Sequence, residues 1–218
     1  MGGTVSHGVD NNDLVTKLCL TDSIKSPKVE FAFRAIDQGL YFPEERRNLA
    51  YRDLAFKSGT LHLSAPCIYC EVVEGLELKE GLLFLNIGSG TGYLSTLAGL
   101  LLGPHGTNHG VEICEDLVNF AQVKLQGFLD GTMPNILGVE FCEPEFVVGD
   151  GLYIDPCYRR YDRVYCGAAV DVKYESYMRS LLKVGGILVM PFHDTVSNKT
   201  ISFLIHDALT EKFNRNPL

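Results

Sequence analysis

The sequence predicts an α/β fold in which a mostly parallel, twisted sheet has helices on both faces and follows a helical lead-in. Continuous apolar runs alternate with segments of helical spacing, a pattern typical of a parallel sheet that is covered on both sides. The 218 residues are 46% hydrophobic, which is enough to bury one sizeable core. We therefore predict an N-terminal helical segment over residues 1–80, a core domain over residues 81–207 and a polar tail over residues 208–218.

Local signals place the elements in order. Two helices are predicted before the sheet, over 12–20 and 27–37, the second with Ser26 as its N-cap and Pro27 at its first position. The core is predicted to contain strands over 82–87, 108–113, 145–148, 161–166, 187–192 and 200–205, and helices over 93–102, 116–129 and 173–182. Gly185-Gly186 is predicted to form a turn before the strand at 187.

A glycine-rich loop follows the apolar run at 84–87, with glycines at Gly88, Gly90 and Gly92. A dinucleotide fingerprint would need its third glycine where Tyr93 stands, and the Gly-Lys-Ser/Thr of a P-loop does not occur in the sequence. The spacing instead suits S-adenosylmethionine, which has no pyrophosphate and needs only a close backbone approach. A strand-to-helix turn without function would give the same glycines.

Acidic residues end the two following strands of the predicted sheet. Glu112 stands twenty residues after Gly92, where a carboxylate can accept hydrogen bonds from both ribose hydroxyls. Asp150-Gly151 follows the next strand, and Asp150 either receives the adenine amino group or caps a turn. Because ligands of parallel sheets bind at the carboxyl ends of strands, these residues predict one crevice. For Glu112 alone, a solvated strand end is the competing interpretation.

Charge and cysteine content exclude several function classes. The net charge of −8 and the lack of a basic stripe disfavour a nucleic-acid partner. Seven cysteines, an odd number scattered through apolar segments, indicate a reducing compartment and hence the cytoplasm. Cys67-x-x-Cys70 has no second pair to complete a metal site, so we expect core packing there and no bound metal.

The N-terminus carries a lipidation pattern. Met1-Gly2-Gly3 with Ser6 fits N-myristoylation of Gly2 after removal of the methionine, although a flexible terminus gives the same letters by chance. No apolar run approaches the ~18 residues of a membrane span. A single acyl chain binds membranes only marginally, so we expect at most weak membrane attachment.

The segment Ser64-Ala65-Pro66 lies upstream of the glycine loop, and with it the chain resembles the protein-L-isoaspartate O-methyltransferases. The resemblance extends from about residue 13 to residue 191 and includes Val147–Gly151, Gly167-Ala168-Ala169 and 182–186. It implies a Rossmann-like class I methyltransferase fold and bound S-adenosylmethionine. It also implies methylation of the L-isoaspartyl carboxylate in damaged proteins, with Ser64 contacting that carboxylate.

The resemblance and the loop together define the candidate site. Ser64 is the catalytic candidate, although its position before Pro66 also suits an N-cap. His62 is interpreted as a core histidine. The cofactor-binding candidates are Asn86, Gly88, Ser89, Gly90, Gly92, Glu112, Asp150 and Gly151.

The start of the chain and residues 63–69 look most similar to a subfamily called isoaspartate methyltransferase domain-containing proteins, which carries a myristoylation signal. Its longer members continue into a region resembling a recruitment box for cullin-type ubiquitin ligases, which we do not expect here. The chain departs from the repair enzymes at Asn86, where they usually have Asp, and at Cys67 and Tyr69, where histidines are usual. These departures leave a second hypothesis open, an S-adenosylmethionine-binding adaptor that recognises isoaspartate without turnover.

Overall fold

The computed structural model describes residues 7–131, 140–168, 170–194 and 199–206. Its first elements are the helices α1 (Asn11–Leu20) and α2 (Pro27–Ala35), the strands β1 (Phe56–Ser58) and β2 (Leu61–Leu63), and the helix α3 (Pro66–Leu76). The strands β1 and β2 form a two-stranded antiparallel hairpin. The two predicted lead-in helices are confirmed, whereas the hairpin was not predicted.

A larger sheet follows. It contains β3 (Leu83–Ile87), β4 (Thr107–Glu112), β5 (Glu145–Val148), β6 (Tyr161–Cys166), β7 (Val170–Asp171), β8 (Leu182–Asp194) and β9 (Lys199–His206). Its order β5-β4-β3-β6-β8 is parallel throughout. β7 pairs in parallel with the end of β8, and β9 pairs with β8 antiparallel. The predicted α/β architecture is confirmed, including the strand expected near residue 200.

Helices cover both faces of the sheet. They are α4 (Tyr93–Leu102), α5 (Glu115–Asp130) and α6 (Glu175–Ser180). Alternate residues of β3 face opposite sides, so Phe84 packs into the core formed with the lead-in helices and α4, while Leu85 and Ile87 pack into the core formed with α6. Asn86 therefore shares the face of Phe84 and lies against α4.

Two predicted features differ in the structure. Gly185-Gly186 is not a turn before a strand but lies inside β8, at an irregularity where the pairing with β6 jumps from Tyr161↔Leu182 to Arg163↔Ile187. Gly185 has a φ of 78°, which suits such a bulge. The helix predicted over 173–182 is shorter because Val172–Tyr174 forms a 3-10 turn and β8 begins at Leu182.

Ser26 stands at the N-cap of α2 as predicted, with Pro27 at the first position, but it makes no side-chain bond to its own helix. Its hydroxyl donates instead to Glu74 Oε2 of α3 at 2.5 Å, and Glu74 Oε1 accepts from the backbone N–H groups of Lys25 and Ser26 at 2.8 and 2.7 Å. A carboxylate from another helix thus satisfies the start of α2.

All seven cysteines are free thiols. Cys70 is fully buried in the core and Cys67 packs against it partly buried, as expected for this pair, whereas Cys157 is exposed. In the part of the chain that the structure describes, no cluster of three or more His, Cys, Asp or Glu side chains is arranged to hold a metal ion. No helix within the described ranges has both the length and the apolar character needed to cross a bilayer.

Candidate active site

The glycine loop joins the carboxyl end of β3 to α4. Gly88, Gly90 and Gly92 all have positive φ, at 72°, 54° and 81°. At Gly92 a Cβ atom would lie 2.9 Å from both Ala121 Cβ and Phe146 Cζ, so both the backbone angle and the packing require glycine. The loop is thus fixed in place between α5 and β5.

A cavity of about 540 Å³ opens at the carboxyl ends of the parallel strands, where the sequence predicted a crevice. Its size falls in the usual range of small-molecule sites. The predicted residues Gly88, Gly90, Glu112, Asp150 and Gly151 all line it. The structure therefore brings together residues from the ends of three strands.

The Glu112 carboxylate forms one wall of this cavity and is only 8% exposed. Its Oε2 accepts a hydrogen bond from the Gly90 N–H at 3.0 Å, and its Oε1 accepts one from the Cys114 N–H at 3.0 Å. Each carboxylate oxygen has further lone pairs that these bonds leave unused. The group can therefore hold the loop and still accept hydrogen bonds from a ligand.

Asp150 has the capping role that the sequence left open, because its Oδ1 accepts from the Leu152 N–H at 2.9 Å at the start of a 3-10 turn. It also borders the cavity, so one oxygen remains for a ligand. At Gly151 a Cβ atom would overlap Ile87 Cγ2, which explains the glycine.

The sequence analysis missed Tyr177 of α6, which supports this turn. Its hydroxyl accepts from the Ile154 N–H at 2.8 Å and lies 2.9 Å from the Gly151 carbonyl oxygen, to which it can donate. Nothing local in the sequence could have revealed this contact, because Gly151 and Tyr177 are 26 residues apart.

A smaller cavity of about 50 Å³ lies beside the larger one, and the two share His62, Gly88, Gly90 and Gly167. Ser64 borders the smaller cavity. The N-cap of α3 is Ala65, without a side-chain bond, so the alternative of Ser64 as the helix cap is wrong. The Ser64 backbone N–H donates to the Tyr69 hydroxyl at 3.2 Å, and burial raises the pKa of Tyr69 to about 12.

Two buried polar atoms on residues that line the smaller cavity lack protein partners among the described residues. They are Asn86 Oδ1, on a residue 1% exposed, and Ser89 Oγ. The other end of the Asn86 amide donates to Ser95 Oγ at 2.9 Å, which fixes its orientation. Asn108 Oδ1 is also buried without a partner in the described part of the chain but lines neither cavity, so it is the position of Asn86 beside the glycine loop that leaves its acceptor open to a ligand donor such as an ammonium group.

His62 is not the core histidine that the sequence suggested. It is exposed on β2 and lines both cavities, because its neighbour Leu63 takes the buried side of the strand. Gly2, the predicted lipidation site, lies outside the described residues.

Residues 9–210 match the sequence model of the protein-L-isoaspartate(D-aspartate) O-methyltransferase family. The chain belongs to this family. The isoaspartate methyltransferase of Ignicoccus hospitalis is 30% identical over 185 residues, covering 84% of this chain and 81% of its own length. That of Fervidobacterium nodosum is 31% identical over 182 residues, covering 82% of each.

The fold has a solved counterpart in a Plasmodium falciparum protein described as a protein-L-isoaspartate O-methyltransferase, in complex with S-adenosyl-L-homocysteine. The two share a TM-score of 0.75 at 19% identity, over 95% of this chain and 99% of that one. The class I methyltransferase fold is thereby confirmed. The family comparison confirms the predicted family and a methyltransferase that uses S-adenosylmethionine, and it gives no support to the adaptor alternative.

The residues present fit this cofactor. The larger cavity has the volume for a nucleoside, Glu112 has free acceptor sites, and Asn86 Oδ1 is an unpartnered buried acceptor beside the glycine loop.

Proposed function

We propose that this chain methylates the free carboxylate of L-isoaspartyl residues in damaged proteins, and that Ser64 orients that carboxylate. One observation supports the role of Ser64. It lines a small cavity that opens directly beside the cofactor-sized cavity, and both cavities share Gly88 and Gly90 of the loop. Family membership supports the reaction.

Three groups of the chain would hold the cofactor. Glu112 would accept hydrogen bonds from the ribose hydroxyls, Asp150 one from the adenine amino group, and Asn86 Oδ1 one from the methionyl ammonium group. Gly88, Gly90 and Gly151, which line the larger cavity, would let the backbone pass close to it, and Ser89 lines the smaller cavity beside them. Gly92 lines neither cavity, so its predicted contact with the cofactor is replaced by packing against Ala121 and Phe146. S-adenosylmethionine supplies an electrophilic methyl group on a sulfonium centre.

The reaction does not require a general base from the protein, because a carboxylate is already an anionic nucleophile. Ser64 Oγ–H would donate to one carboxylate oxygen and restrict its orientation. Fixed alignment is worth up to ~7–11 kcal/mol in well-oriented reactions. The buried side chains of Leu94 and Tyr165, which also line the smaller cavity, would keep water from the reacting groups.

The test is transfer of a labelled methyl group to an isoaspartyl peptide, scored as base-labile ester. Ser64→Ala should lower kcat/KM by about a hundredfold, as expected for losing one positioned donor. Its affinity for S-adenosylhomocysteine, measured by calorimetry, should be unchanged. Ser58→Ala, an exposed serine of β1 outside both cavities, is the matched control. Ester yields that are no higher for the wild type than for Ser64→Ala would refute the proposal.

We also propose that the chain belongs to the domain-containing subfamily, is myristoylated on Gly2, and works in the cytoplasm with weak membrane attachment. The sequence pattern at residues 1–6 and the residues after Ser64 support this. Mass spectrometry of protein from eukaryotic cells should find one myristoyl group that Gly2→Ala abolishes. An unmodified N-terminus would contradict it. The link to ubiquitin-ligase subunits stays a prediction for longer relatives.

A further inference from the structure

The hairpin of β1 and β2 has two chemically different faces. Its strands are joined by Gly59-Thr60, and their register places Phe56 opposite Leu63 and Lys57 opposite His62. Leu63 is fully buried, and the Phe56 ring packs against Phe42 with ring centroids 4.8 Å apart. Since side chains that face each other across an antiparallel pair project to the same side, Lys57 and His62 share the opposite, exposed face.

This exposed face borders the candidate active site. His62 lines both cavities, and its carbonyl oxygen lies 3.9 Å from the position that a Cβ of Gly90 would take. Ser64 follows two residues later and lines the smaller cavity together with His62. No hydrogen bond or ion pair joins the side chains of Lys57 or His62 to any residue in the described ranges.

The residues that line the two cavities are mainly acidic where they are charged, and the exposed face of the hairpin differs from them. Among the described residues that line the two cavities, Glu112, Asp150 and Asp171 are acidic, and His62 is the only basic residue. A carboxylate that enters meets the like charges of Glu112 and Asp150 in a protein of net charge −8, whereas Asp171 is paired with Lys173 at 3.6 Å. On the exposed face of the hairpin, the ammonium group of Lys57 attracts an anion, and the imidazole of His62 beside it offers a hydrogen-bond donor.

We propose that His62 and Lys57, together with Ser64, form the recognition site for the isoaspartyl carboxylate. This inference rests on the proposed function and names the residues that select its substrate. Ser64 donates to one carboxylate oxygen, and a ring N–H of His62 donates to the other, since histidine has at least one N–H donor in either charge state. Lys57 draws the carboxylate in over a longer distance.

Steady-state kinetics with an isoaspartyl peptide test the assignment. His62→Ala should raise the peptide KM about tenfold, the loss expected for a hydrogen bond to a charged group. His62→Gln keeps an N–H donor, so its peptide KM should lie between those of the wild type and His62→Ala. Lys57→Met should raise KM about threefold at low salt and less at high salt. Affinity for S-adenosylhomocysteine should stay within about twofold of the wild type in all three, because none of these groups is assigned to the cofactor.

The matched control is Lys79→Met. Lys79 is exposed and precedes β3, at the end of the sheet opposite the cavities, so the same loss of charge should leave KM unchanged. An unchanged peptide KM in both His62→Ala and Lys57→Met would overturn the proposal, and so would an equal loss of affinity for S-adenosylhomocysteine. If His62→Ala does not fold, the peptide KM values of His62→Gln and Lys57→Met are compared with that of Lys79→Met, and unchanged values in both overturn the proposal.

Methyl transfer by the chain and carboxylate recognition by His62 and Lys57 can be tested separately. If the wild type forms no ester, the function is wrong, and the variants are compared instead for binding the peptide in the presence of S-adenosylhomocysteine. Weaker peptide binding by His62→Ala and Lys57→Met than by Lys79→Met supports the recognition site. Equal binding overturns it. A peptide with normal aspartyl linkage is the ligand control.

Discussion

The Glu112 carboxylate accepts a hydrogen bond from the backbone N–H of Gly90, 22 residues earlier in the chain, at 3.0 Å. One residue therefore both shapes the glycine loop and lines the larger cavity beside it. Because Cys114 donates to the other oxygen, both oxygens of the group are engaged as acceptors before any ligand arrives. Such a carboxylate is pre-oriented, so a ligand that binds it would not have to order it.

Glu112→Gln tests this double role. An amide must turn its NH₂ toward either the Gly90 or the Cys114 N–H, and two donors then face each other. We expect affinity for S-adenosylhomocysteine to fall about tenfold to a hundredfold in calorimetry, since one charged acceptor is lost and one buried donor loses its partner. Glu115→Gln, on the exposed first turn of α5, is the control. Equal affinities of the two variants would contradict the assignment.

Two glycines should respond in opposite directions to alanine. Gly92→Ala places a Cβ 2.9 Å from Ala121 and Phe146 at a φ of 81°, so urea unfolding should show a loss of about 1–3 kcal/mol. Gly127 lies inside α5 with no atom near its Cβ position, so Gly127→Ala should add about 0.5–1 kcal/mol. A stabilising Gly92→Ala would show that the loop is not held as described.

Much of the fold could be predicted because the signals are local. The bounds of α4, β5 and β6 agree with the prediction residue for residue, since each is a continuous run whose periodicity does not depend on its neighbours. The bulge at Gly185 could not be predicted, because two consecutive glycines after a helix read as a turn. The hairpin at Gly59-Thr60 does leave a signal in the sequence, a glycine-containing two-residue connection between short apolar segments.

The site was only partly predictable, for a different reason. The convergence of Gly88, Glu112 and Asp150 follows from the rule on strand ends. The orientation of His62 depends on which side of β2 faces the core, and that is decided by the partner strand and by the packing of Leu63. The unpartnered acceptor on Asn86 is likewise visible only in three dimensions.

Asn86→Asp should make the stability of the folded protein depend on bound S-adenosylmethionine. A carboxylate at this position, on a residue 1% exposed, has no cationic partner in the free protein, so we expect unfolding in urea to be easier by about 1–3 kcal/mol. Saturating S-adenosylmethionine should recover most of this loss, because an ammonium–carboxylate pair is stronger than an ammonium–amide bond.

The control for this experiment is Asn108→Asp. Asn108 is also buried with an unpartnered Oδ1, but it lines neither cavity and its amide donates to the carbonyl oxygens of Ser95 and Cys142. The Asn108→Asp variant should be destabilised by the same amount with and without S-adenosylmethionine. If S-adenosylmethionine fails to rescue Asn86→Asp more than Asn108→Asp, the methionyl end of the cofactor does not lie against Asn86.

His109 of β4 should make the protein less stable in acid. Burial lowers its pKa below the usual 6.5, and the opposing attraction of Glu145 is weak because that side chain is 82% exposed, while Arg159 adds to the lowering. Below pH 6.5 the unfolded chain therefore binds a proton that the folded state resists. The contribution of this histidine to stability is present above that pH and is lost as the pH falls toward the lowered value.

Urea unfolding between about pH 7.5 and pH 5.5 checks this expectation. His109→Gln should flatten the decline in stability on acidification and cost about 1 kcal/mol at the alkaline end, where the bond between Nδ1 and the Tyr161 hydroxyl, 2.8 Å in length, is lost. His105→Gln replaces an exposed histidine near the start of β4 and should leave the slope of the wild type intact. Identical slopes for wild type and His109→Gln would show that His109 is not the group whose protonation the fold opposes.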